Sequence, residues 1–91
     1  MASPQASLQM QVLRAVEELL KDRPPDQRQV DTAMVIERMR LSAEAMDDIA
    51  QVMSQLLQEG KVRGKELRGD NKALDVTVTA ITEKGLQLLW R

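Results

Sequence analysis

The chain of 91 residues is long enough for one domain with a single modest core and too short for two. With 43% hydrophobic and 30% charged residues it has the composition of a soluble globular chain, and a net charge of -1 supplies no overall attraction to nucleic acid or to a membrane surface. The absence of Cys and His excludes disulfides, thiol nucleophiles, imidazole metal ligands and any pairing of Ser with His, and with them most routes to catalysis.

The first residues, MASPQASLQM, lack a basic start and a long apolar run, and no segment approaches the roughly 20 apolar residues that span a bilayer, so the expected compartment is the cytoplasm. Trp90 is the one aromatic residue, which leaves the core to Leu, Val, Ile, Ala and six methionines, a residue suited to irregular gaps.

Ser3 before Pro4, or Ser7 a turn later, caps a first helix whose buried stripe is Leu8, Val12, Ala15, Val16 and Leu19. Leu13 and Leu20 widen that stripe, and Arg14 with Glu18 and Glu17 with Lys21 are opposite charges four apart on the wet side. The run RPPDQRQ from Arg23 to Gln29 cannot continue a helix, because two prolines lack donors and restrict the residue before them; it reads as a stiff surface connection inside one domain, residues 1–91. Val30 is followed by Asp31, the cap of a second helix carrying Val35, Ile36 and Met39, with Leu41 closing its end. Ser42 is placed to cap the next helix, so the connection is very short and the two helices must cross steeply.

The third helix dominates the chain. In MDDIAQVMSQLLQEGKV, Met46, Ile49, Ala50, Met53, Leu56 and Leu57 recur at the three-and-four spacing of one helical face, Gly60 marks the stop and Val62 begins an extended segment. Leu74, Val76 and Val78 then alternate with Asp75, Thr77 and Thr79 as a half-buried strand, its partner is Lys61 to Leu67, and Arg68 to Lys72 (RGDNK) supplies the hairpin loop. Thr82 caps a short last helix bearing Leu86, Leu89 and Trp90. The expected core is Val12, Val16, Leu19, Val35, Ile36, Met39, Ile49, Met53, Leu56, Val76, Val78 and Leu86.

The order helix, helix, helix, hairpin, helix, together with LLQEGKV at Leu56 to Val62 and ITEKGLQLL at Ile81 to Leu89, resembles the winged helix-turn-helix superfamily across nearly the whole chain. The resemblance implies an α+β, mainly helical fold of three helices, a two-stranded wing and a short C-terminal helix. It also implies binding as the function, with the third helix entering the major groove where the partner is DNA and the wing lying on the backbone or in the minor groove; a substantial minority of such domains bind protein.

From Ala43 to Glu59 the acids are Glu44, Asp47, Asp48 and Glu59, with no Lys or Arg, a net -4 on the helix that would approach phosphates. Gln51, Ser54 and Gln55 have side chains able to reach base edges, and Gln pairs with adenine. Glu44 and Asp48 share a face, but two carboxylates without further ligands make a poor cation site, and acids in the first turns of a helix stabilise its positive end. The four glycines do not form a phosphate-cradling loop, so no cofactor and no metal is expected.

The hairpin has the opposite balance: Lys61, Arg63, Lys65, Arg68 and Lys72 against Glu66 and Asp70 give +3. Arg63 and Lys65 fall on one face of a strand, either as a wing that touches phosphates or as charges that protect a sheet edge from aggregation. The tripeptide at Arg68, Gly69 and Asp70 is what hairpin geometry selects. Trp90, Met10, Leu13 and Leu20 form a candidate protein interface, most simply with a second copy of the chain. The acidic third helix and the sequence pI of about 5.4 turn the balance toward a non-catalytic module that binds protein or dimerises, with a DNA-binding regulator acting through the basic wing as the alternative.

Overall fold

The computed structural model describes residues 4–68 and 74–89, with the side chains of residues 4–7, 25 and 68 left outside the description. Of the expected hairpin loop, Arg68 to Lys72, positions 69–72 fall outside the described residues, as does the expected place of Trp90 in the last helix, while Arg68 is the last residue of a strand and not part of the loop. Within them the fold is α+β and mainly helical: α1 (Pro4–Lys21), a 3-10 turn (Pro25–Gln27), α2 (Thr32–Met39), a 3-10 turn (Ala43–Ala45), α3 (Met46–Gln58), β1 (Val62–Arg68), β2 (Leu74–Ile81) and α4 (Glu83–Leu89).

The helix ends follow from their capping chemistry. Asp31 accepts a hydrogen bond from the Met34 backbone N–H at 2.9 Å, satisfying one of the unpaired donors at the start of α2. At the other end Arg40 takes a left-handed conformation, φ 58°, and the N–H groups of Arg40 and Leu41 turn back to the carbonyls of Glu37 and Ile36. This closes α2 and leaves Leu41 on the surface rather than in the core. Ser42 does occupy the position before the next turn, but its side chain makes no capping bond; the chain enters α3 through the 3-10 turn, where Ala45 N–H donates to the Ser42 carbonyl. Gly60, at φ 75°, ends α3 and releases the chain into β1.

The core lies where α1, α2 and α3 meet one another and the inner face of the hairpin. Val12, Val16, Val35, Ile36, Ile49, Met53, Leu56, Val76 and Val78 are buried as the spacing predicts, while Leu19, Met39 and Leu86 are only partly buried at its margin. Ala15, Val30, Ala50, Val52, Val62 and Leu89 are buried with them. Leu13 and Leu20 are 0% and 8% exposed, so their place is the interior and not a surface between chains. The reason is that α1 touches α2, α3, β2 and α4, and a helix with neighbours on several sides buries a wider arc than one stripe.

The hairpin is antiparallel, running from Val62 opposite Ile81 to Arg68 opposite Leu74, with an irregularity between Arg63 and Gly64 that leaves Thr79 without a partner on β1. Val30 bridges the far side of β2, where its N–H and C=O bond reciprocally with Val78 at 2.8 and 2.7 Å. The buried Thr32 hydroxyl accepts from Val76 N–H at 3.3 Å. Residues 30–32 thereby cover that edge of the sheet.

Candidate interaction surfaces on the third helix and the hairpin

α3 is held by the burial of Ile49, Ala50, Val52, Met53 and Leu56, and this fixes what it turns outward. Asp47, Asp48, Gln51 and Gln55 are exposed, with Glu44 on the preceding turn. The Gln9 amide donates to Gln55 Oε1 at 3.1 Å, so Gln55 is already tied to α1. Beside it lies a groove of about 190 Å³ between α1 and α3, lined by Leu8, Asp48, Gln51, Val52 and Gln55. Residues Ala43 to Glu59 include no Lys or Arg, and the negative charge of these exposed acids repels phosphate and attracts Lys and Arg. Among the described residues no group of three potential ligands is arranged to hold a metal ion.

The hairpin separates its charges by face. Val62, buried, and Glu66 lie on the inner face, where Glu66 accepts a hydrogen bond from the Ser54 hydroxyl of α3. Arg63, Lys65 and Leu67 take the outer face and are exposed, Leu67 at 57%. Among the described residues neither Arg63 nor Lys65 forms an ion pair. Lys61 stands apart from this group: its ammonium is 2.5 Å from Glu59 Oε1 and largely covered, so its charge is neutralised at the foot of the hairpin. The Arg68 side chain and Lys72 lie outside the described residues. Of the five expected hairpin cations, the structure brings Arg63 and Lys65 together on one surface.

The two sequence stretches that carry the resemblance meet at this foot. The Thr82 hydroxyl donates to the Gly60 carbonyl at 2.6 Å and accepts from Gly85 N–H, Thr82 N–H donates to the Lys61 carbonyl, and the Lys84 ammonium reaches the Glu59 carbonyl at 3.0 Å. A Cβ on Gly85 would stand 2.2 Å from the Lys61 carbonyl oxygen, so α4 rests directly on backbone. These residues build the joint between α3, the hairpin and α4.

Of the candidate protein interface, Leu13 and Leu20 belong to the core, Met10 is half-buried against it and Trp90 lies outside the described residues. A cleft between α1 and α2 is lined by Arg23, Glu37, Arg38 and Arg40 beside Leu19 and Met34; of these charges, among the described residues, Arg38 is the paired one, 2.6 Å from Glu18 and 4.0 Å from Asp22, and the hydrogen bond and charge of Glu18 raise its pKa above the ordinary value. Sequence reasoning missed the Val30 bridge and the Ser54 to Glu66 contact, neither of which has a periodic signal. No helix among the described residues is long and apolar enough to cross a membrane. Comparison with protein-family models, with curated proteins and with solved structures gave no match at a significant level.

Proposed function

We propose that this chain is a winged-helix binding module without catalytic activity of its own, and that it acts by recognising a protein partner through the outer face of α3. The observation that carries this reading is the charge of that face: Glu44, Asp47 and Asp48 are exposed beside Gln51 and Gln55, with no Lys or Arg from Ala43 to Glu59. A helix so charged gains nothing from releasing counterions at a phosphate backbone, which is the sequence-independent source of most DNA affinity. Against a basic surface on a protein the same charge accelerates encounter and fixes orientation. The absence of His and Cys supports binding over catalysis, since no side chain titrates near neutral pH at its ordinary pKa.

A second reading, DNA binding through the hairpin, rests on Arg63 and Lys65, exposed on one face and without ion pairs among the described residues. Among the described residues these two would supply about a quarter of the six to ten phosphate contacts from which many DNA binders draw their affinity. Titration against mixed-sequence duplex DNA at low and moderate salt tests both readings. The native chain is expected not to bind at either salt; binding that disappears when Arg63 and Lys65 are replaced by Ala supports the hairpin as a DNA contact instead.

A further inference from the structure

The sheet has one covered edge and one open edge. Val78 N–H and C=O bond to Val30, and Val76 N–H bonds to Thr32, so these two β2 residues turn their backbone groups away from β1. In an antiparallel ladder such groups alternate from residue to residue, so Thr77 and Asp75 are the β2 residues that bond to β1, through their partners Lys65 and Leu67. It follows that Glu66, opposite Val76, and Gly64, opposite Val78, turn their N–H and C=O groups toward the outside of the sheet. Among the described residues no further strand pairs with β1, and neither residue makes a backbone bond elsewhere.

The outer face along this edge reads Arg63, Lys65, Leu67: two exposed cations and then an exposed leucine, 57% accessible, where among the described residues the cations form no ion pair and no large apolar side chain is more exposed. A second copy of the chain pairing β1 antiparallel to β1 would set Lys65 against Lys65, Arg63 against Lys65, or Glu66 against Glu66, according to register, and each like-charge pair disfavours self-association there. From this edge we infer that β1 accepts an extended acidic segment of another protein as an added strand. In antiparallel alignment that segment carries an apolar residue opposite Leu67 and acids two and four positions later, opposite Lys65 and Arg63. Between them stand uncharged residues, because the inner side of the edge carries the Glu66 carboxylate beside Ser54. Backbone pairing supplies the affinity and the cations supply selection. The inference rests on the hairpin edge and not on the acidic face of α3, so either can fail without the other.

The test uses the full chain and the synthetic peptide TLTETET at low salt, followed by amide resonances. The Glu66 N–H is expected to shift and to gain protection from exchange, while the Lys65 and Leu67 N–H groups, already bonded to β2, keep theirs. The charge-matched peptide TLPEPET, which lacks the donors at two positions, should bind about tenfold more weakly. Reversal of both cations, Arg63→Glu with Lys65→Glu, should cost about tenfold or more, since two attractive cross-strand pairs become repulsive. An unchanged Glu66 amide at saturating peptide, equal binding of the two peptides, or no peptide binding together with duplex DNA binding that the same reversal abolishes would overturn the inference.

Discussion

At Arg40 the backbone adopts φ 58°, a conformation that a residue with a Cβ reaches only at a cost, and it closes α2. Arg40→Gly should therefore stabilise the fold by about 0.5 to 1 kcal/mol, the left-handed cost of about 1 to 2 less the extra freedom that Gly brings to the unfolded chain. Urea unfolding reads this directly, and a lowered midpoint would contradict it. Gly85 is the opposite case. Helix propensity favours Ala at this position by about 1 kcal/mol. A Cβ there would meet the Lys61 carbonyl oxygen at 2.2 Å and Ile81 Cγ2 at 2.8 Å. Because a backbone atom cannot give way cheaply, Gly85→Ala is expected to destabilise by roughly 3 kcal/mol despite its better propensity. A stability equal to that of the native chain would show that α4 can move off the hairpin foot.

Among the elements, α1 separates core from surface most sharply. Leu13→Ala should lower stability by about 2 to 5 kcal/mol as a cavity mutation, with a loss that does not depend on protein concentration. A concentration-dependent loss would return Leu13 to an interface. Thr82→Val removes both the α4 cap and the bond to the Gly60 carbonyl, and about 1 to 2 kcal/mol of destabilisation is expected by thermal unfolding. The helical stripes, the Asp31 and Thr82 caps, the Gly60 stop and the alternation in β2 were legible because each is a local pattern of side chains. Leu13 and Leu20 were not legible as core, since the width of a buried arc depends on how many elements surround the helix. Val30 is a single bridging residue without a period, and the turn at Arg40 places a long cation where local preference calls for Gly. On the candidate surfaces, the exposure of Asp47, Asp48, Gln51, Arg63 and Lys65 follows from the same periodicities. The loss of Lys61 to Glu59 does not, because it depends on how the chain turns at the foot of the hairpin.

For the whole molecule, a net charge of -1 conceals two surfaces of opposite sign, acidic on α3 and basic on the outer hairpin. Long-range attraction to any partner is therefore set by which face is presented, and both attractions should weaken as salt rises. On the proposed function, the charge of α3 keeps this chain from DNA and directs it to protein. A variant with Glu44→Gln, Asp47→Asn and Asp48→Asn removes three of the four negative charges of Ala43 to Glu59 while leaving the buried face of α3 untouched. The most direct measurement is a low-salt titration of mixed-sequence duplex DNA with the native chain and with this variant. The native chain is predicted not to bind, while the neutralised variant gains weak binding that a modest rise in salt abolishes. Native binding with a steep salt dependence, unchanged in the variant, would contradict the claim.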